Sequence, residues 1–439
     1  MINFFKVNNS FNKIVNLSVF ISFIYLFYNL FFRDYIPISG DELNSILVYS
    51  TNIKTIFLKN FPGNVTFFHF IGYLKTKIFG TDLFSYRVLA FIFFGLHFFV
   101  LKKIKLTNYE NLIILVIIIN SFYVYYIGQY IGYTFSSLIF VIIFYLLINN
   151  DSNKYNKIIL LLLFIQIYNH LVNLYLVGPI LISLFLYSNK KKIFKEFIIY
   201  FCIPVFLSYS FSIILTGIAL YKIDNTSFTY VYKLITSDLY NIVIKGFERI
   251  FFYEAYANAK KFNLVSFLIN LFLFDKIYFI FFISSFILSL VNLKEKKISL
   301  VFSLIIIFHV FFLILINKDP APRIFTGFVF YYLIFNFYFL KNYPVFKKLL
   351  NIRIIVLLIF FIFFYSFLKF NYYQLVMNGK FSNDFDLNLD KENKKLLNEN
   401  CILKNNNFSE LQKRNYYFNY INICKKDYNL SEFLIYYRS

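Results

Sequence analysis

The chain has 439 residues, 59% of them hydrophobic and 15% charged, with a mean hydropathy of +0.64. Soluble domains carry about 25% charged residues, so this composition excludes an ordinary soluble enzyme and points to a polytopic membrane protein. The formal net charge of +22 reads as lysine-rich turns rather than a nucleic-acid footprint, because no basic stripe on a soluble domain accompanies it.

The first apolar run, 14–32, is long enough to cross the hydrocarbon core of a bilayer. "FFRDYIP" follows it in place of a small-residue cleavage site, so the run reads as a retained span. Within residues 33–86, "ELNSILVYSTNIKTIFLKN" and "VTFFHFIGYLKTKIFG" are too apolar for a soluble loop. They read as helices lying in the membrane interface, separated by the break at Pro62-Gly63. Further apolar runs follow at 87–101, 111–127, 133–148, 158–170, 174–187, 197–219, 277–291, 298–316, 324–340 and 354–368. The total is about eleven spans. Each must be helical, because a backbone polar group in lipid needs its partner within its own segment. The expected fold is an all-α polytopic membrane protein.

Lysine placement gives the expected orientation. Lys6, Lys13, Lys102, Lys103, Lys105, Lys154, Lys157, Lys190, Lys191, Lys192 and Lys195 share one side if the N-terminus is cytoplasmic. Lys294, Lys296, Lys297, Lys341, Lys347, Lys348 and Arg353 join them, whereas the short loops opposite hold only Lys318 and Arg323. The positive-inside rule therefore puts 33–86, 221–275 and 370–439 outside the cytoplasm. This divides the chain into a membrane domain, 1–369, and a small extracytoplasmic tail, 370–439. In that tail Cys401 and Cys424 face an oxidising compartment, where they either pair or stand as two unrelated thiols. Cys202 lies within a span and reads as core.

Chemistry concentrates around "SGDEL". Ser39-x-x-Glu42 fits a capping box, with Ser39 and Glu42 exchanging bonds across a helix start. The same pair, Asp41 and Glu42, at the rim of a bilayer also suits a general base, which needs a fixed position and partial desolvation. Arg323 stands on a side where the positive-inside rule disfavours it. It is either a phosphate contact, for which a charged fork is suited, or a side chain snorkelling to headgroups; Lys318 is a second cation beside it. Arg87 opens a span as a phosphate contact or a helix-end anchor. His170 sits at a short turn and is either site-lining or structural. His69, His97, His170 and His309 have no metal-ligand spacing, so neither a metal nor another cofactor is expected. The P-loop, dinucleotide and HExxH patterns are absent.

The order of these features resembles the GT-C superfamily of polyprenyl-phosphate-sugar-dependent glycosyltransferases. The likeness is to the branch of protein mannosyltransferase-like, aminoarabinose transferase-like and Rhizobium lipopolysaccharide-core transferase-like enzymes. In that branch a loop acid pair is followed by a Gly-x-(Ser/Asp)-x-x-x-x-Arg entry into the second span, matched here by Gly80, Asp82 and Arg87. "IQIYNHLVNLYL", with Asn169 and His170, is similar to the Thr-His-Tyr region, and "KDPAPRIFTGFVFYYLIF" to the late loop where an Arg precedes a span. The likeness covers residues 14–340. Where the branch has Glu-x-Arg-x-Tyr, this chain has "QYIGYTF", keeping Gln129 and Tyr133; the His-Pro-Pro stretch is "FPGNVTFFH".

The resemblance implies a GT-C-like bundle in a bacterial cytoplasmic membrane, with its active site outside the cytoplasm. The activity implied is inverting transfer of a sugar from a polyprenyl-phosphate donor to a glycan, lipid or protein acceptor. Asp41 would be the base, with Glu42 its backup or its orienting neighbour. Arg323, Lys318, Arg87, His170 and Tyr133 would line the donor phosphate and sugar. Two other classes compete: a lipid-linked glycan transporter and a glycan polymerase or ligase. A transporter is expected to carry charge inside its spans and an internal repeat. A polymerase relies on Arg and His in late loops. The nearly charge-free spans and the early acid pair favour the transferase.

Overall fold

The computed structural model describes residues 42, 45–50, 53–57, 65–80, 83–104, 132–149, 153–170, 173–220, 239–244, 276–291 and 329–340. Scattered positions near 17–28, 110–118, 263–272 and 304–307, and position 424, complete the set. All regular structure among these residues is helical. A wide turn of helix, α1 (Ser45–Ser50), leads to a short α2 (Ile53–Ile56), then α3 (Thr66–Phe79) and α4 (Leu83–Leu101). Next come α5 (Tyr133–Ile148), α6 (Asn156–Asn169) and α7 (Leu174–Tyr187). The helix α8 (Lys190–Phe197) continues through a wide turn, Ile198–Cys202, into α9 (Ile203–Leu220). The helices α10 (Lys276–Val291) and α11 (Val329–Leu340) complete the order.

Two helical stretches are long and apolar enough to cross a membrane, Phe84–Leu101 and Lys190–Ile218. In the second, only 11% of the apolar window is buried inside the protein. A core helix of a soluble protein would bury such a surface, because each exposed apolar side chain forgoes about 1.5–3 kcal/mol. Phe206 is 70% exposed and Leu207 60%, an arrangement that suits lipid rather than water. Shorter apolar helices are α5, α6, Leu176–Tyr187 of α7 and Phe279–Ser289 of α10.

The core lies where α4, α5 and α6 meet, around Phe94, Phe98, Phe140, Phe144, Leu160 and Leu163. Polar side chains tie neighbouring helices across it. Tyr209 Oη donates to Ile167 O at 2.8 Å, and the Tyr168 and Ser212 hydroxyls bond at 2.7 Å, holding α9 to α6. Asn336 Nδ2 donates to Ser285 Oγ at 2.7 Å, linking α11 to α10. In an apolar medium such bonds are a main source of helix–helix specificity. The wide turn before α9 has a local cause. Pro204 has no amide to offer the carbonyl of Tyr200 and its ring crowds that position. Ile203 N–H reaches instead to Ile198 O, five residues back.

The bounds 133–148 and 174–187 expected from the sequence are those observed. The span expected from 87 begins at Leu83, so Arg87 sits one turn inside α4. The lysine turn expected before 197 is itself helical. Of the two helices expected between 33 and 86, the second is continuous as α3, and the described part of the first comprises α1 and α2. Most of the runs at 14–32, 111–127, 298–316 and 354–368 falls outside the described residues, as do most of 221–275 and of the tail. Cys424 is disulfide-bonded, its partner lying outside the described residues, and Cys202 is a free thiol.

Candidate functional site

The helix α3 is the beam on which two polar clusters are built. At its C-terminal end the chain turns through Gly80, whose N–H bonds Thr76 O at 3.0 Å. Gly80 adopts φ +73° with open space where a Cβ would stand. Backbone conformation, not crowding, therefore calls for glycine here. The reversal brings α4 back along α3.

Two successive residues of α4 then grip two different segments. Tyr86 is fully buried, and its hydroxyl bonds that of Thr76 on α3. The Thr76 hydroxyl also lies 3.0 Å from Ser50 O and 2.8 Å from Gly72 O, so α1, α3 and α4 share one node. Lys75 folds back over this node. Its Nζ donates to Gly80 O at 2.8 Å and lies 3.5 Å from the centre of the Tyr86 ring, a cation–π contact screened from water.

Arg87, one residue on, forks onto Glu42. Its Nε donates to Oε1 at 2.9 Å and its Nη2 to Oε2 at 2.8 Å. Glu42 is 0% exposed and Arg87 8%. Charges taken out of water need a partner of matching geometry, and the planar guanidinium supplies two parallel bonds at once. The pair fixes the backbone at residue 42 to the first turns of α4, and with it the position next in sequence to Asp41.

The second cluster sits at the N-terminal end of α3. The first amides of a helix have no intrahelical acceptor, and Phe67 N–H finds one at 2.9 Å in Asn169 Oδ1, the last residue of α6. Around it, Gln166 Nε2 donates to Ser136 O at 2.5 Å, and Asn173 Nδ2 donates to Gln166 Oε1 at 2.8 Å and Gln166 O at 2.9 Å. Asn169 Nδ2, Thr134 Oγ1 and Ser137 Oγ are buried without a hydrogen-bond partner. Gly132 closes this end: it adopts φ +82°, and a Cβ there would stand 2.9 Å from the Val65 side chain. Both its conformation and its contact exclude a larger residue.

Of the residues singled out from the sequence, the structure brings Glu42 and Arg87 together. Tyr133 opens α5 just after Gly132 and is half-buried; His170 ends α6 beside Asn169, also half-exposed, its N–H bonded to Gln166 O at 3.1 Å. Asp41, Lys318 and Arg323 lie outside the described residues. Lys75, Thr76, Tyr86, Gln166 and Asn173 were not anticipated. Gln166, Asn169 and Asn173 do fall at helical spacing within an apolar stretch, the signal that marks a polar stripe facing protein rather than lipid. Among the described residues no group of three or more His, Cys, Asp or Glu is placed to hold a metal ion. Comparison with family models, curated proteins and solved structures gave no match.

Proposed function

We propose that this chain is an integral membrane glycosyltransferase of the GT-C type, moving a sugar from a polyprenyl-phosphate donor to an extracytoplasmic acceptor with inversion. In this reading the acceptor hydroxyl oxygen attacks the anomeric carbon while Asp41 takes its proton. The bond from that carbon to the phosphate oxygen breaks, and the polyprenyl phosphate leaves with the electron pair. Arg323 and Lys318 meet the growing charge on the phosphate, where a preorganised cation contributes most. The bundle of about eleven spans lies in a bacterial cytoplasmic membrane with a cytoplasmic N-terminus, so that loops 33–86 and 221–275 face the donor leaflet.

The observation that supports this reading best is the buried fork between Glu42 and Arg87. A helix cap would be satisfied by an exposed glutamate. A base must be held still, and anchoring its neighbour to a packed helix does that. Within the proposal Glu42 is the orienting residue and Arg87 its clamp, while His170 and Tyr133 line the sugar side. Asp41→Asn should abolish transfer from a polyprenyl-phosphate sugar in membrane preparations while the protein remains folded and inserted. Transfer at the wild-type rate in that variant would reject the mechanism.

A further inference from the structure

At the far end of α6 from Asn169, about 20 Å along the helix, two turns are clasped together. Asn156 Nδ2 donates to Ser188 Oγ at 3.1 Å, and Ser188 Oγ donates to Asn153 Oδ1 at 2.8 Å. Asn153 holds a left-handed φ of 57° to make the turn. Asn189 caps α8 by accepting from Lys192 N–H at 3.3 Å. The clasp sets the 153–157 turn beside α8, which packs on both α6 and α7.

Six exposed lysines thereby share one surface: Lys154 and Lys157 at the start of α6, and Lys190, Lys191, Lys192 and Lys195 on α8. The Lys157 ammonium lies 5.6 Å from the Tyr200 ring centre, and that of Lys154 5.6 Å from Tyr155. The acid described here, Glu196, is buried and makes no ion pair with any of them, the ion pair among the described residues being Arg87–Glu42. Helix packing gives no reason to gather these charges beyond the membrane orientation they are expected to set. They repel one another, and five of the six stand at or just before a helix start, where the macrodipole disfavours cations. Bare apolar side chains interleave with them: Leu186 is 60% exposed, Phe194 56%, Ile158 50% and Tyr187 47%. A surface that presents ammonium groups and apolar side chains together matches one environment, the boundary between acyl chains and anionic headgroups.

We infer that this surface binds anionic phospholipids, the ammonium groups of Lys154, Lys157, Lys190, Lys191, Lys192 and Lys195 meeting lipid phosphates while Phe194, Leu186 and Ile158 enter the acyl region. The inference does not rest on the transferase reading. The full-length protein, purified in a neutral detergent, is titrated with mixed micelles of phosphatidylglycerol or of phosphatidylcholine, and retained lipid is counted by native mass spectrometry. The wild type should retain phosphatidylglycerol over phosphatidylcholine by about tenfold, less at high salt. K190Q/K191Q/K192Q/K195Q should bring the two lipids near parity, and the matching Lys→Arg variant should keep the preference. K102Q/K103Q, which removes exposed lysines from a different turn, should leave it intact. If the glutamine variant does not fold, K154Q/K157Q replaces it and should halve the preference or more. No preference in the wild type, an undiminished preference in the glutamine variant, or an equal loss in K102Q/K103Q would overturn the inference. So would nucleic acid carried by the wild type in place of lipid and lost with the same lysines.

Discussion

The two ends of α3 solve the same problem with different chemistry. At the C-terminal end a full charge is buried and met by a full charge, with both oxygens of Glu42 engaged by Arg87. At the N-terminal end the groups are neutral amides and hydroxyls, and three of their atoms are left buried without partners. The difference follows from cost. An unpaired buried charge forfeits several kcal/mol, whereas an unsatisfied buried amide or hydroxyl costs about 1–3 kcal/mol. At these two ends of α3 the second kind of group is left waiting and the first is paired.

The largest effect should therefore come from unpairing the fork. Glu42→Ala or Arg87→Ala alone should lower stability by about 3–5 kcal/mol, read as a fall in the thermal midpoint of the detergent-purified protein. The exchanged pair Glu42→Arg/Arg87→Glu should recover much of that loss, and recovery no better than the single variants would show that the charges are not coupled. Smaller, and at the other end, is Gly132→Ala. It combines a disfavoured positive φ with a clash against Val65 and should cost about 2–3 kcal/mol. Smallest is Asn169→Ala, which removes the cap from α3 and should cost about 1 kcal/mol. Its local signature is faster hydrogen exchange at the Phe67 amide with little change elsewhere. A larger loss from Asn169→Ala than from Arg87→Ala would reverse the ranking of the two ends.

Among the described residues, much of the helical framework was legible in the sequence, and the reasons are local. The run 133–148 is bounded by Gly132 and the polar Asn149-Asn150, and 174–187 by Asn173 and Ser188, so composition marked their limits. The lysines at 190–192 read as a turn because three charges in succession interrupt an apolar pattern. They continue as helix because lysine is a good helix former when its ammonium is free in solvent. The site was legible only in its parts. Gly80 and Arg87 were visible at their spacing, but the partner of Arg87 is 45 residues away and that of the Phe67 amide 102 residues away. No periodicity reports such distances. They arise from the reversal at Gly80 and from the packing of α3 on α6.

The wide turn at Ile198–Cys202 has a consequence for direction. One residue too many in a helical turn leaves the axis continuous but rotates everything downstream by about 100°. The azimuth of Tyr209 toward α6 is thus set independently of the azimuth of the Lys190–Lys195 face, although both belong to one unbroken rod. Removing one residue from Ile198–Cys202 would re-phase the two halves, so that either the Tyr209 and Ser212 hydroxyls or the ammonium groups would face the wrong neighbour.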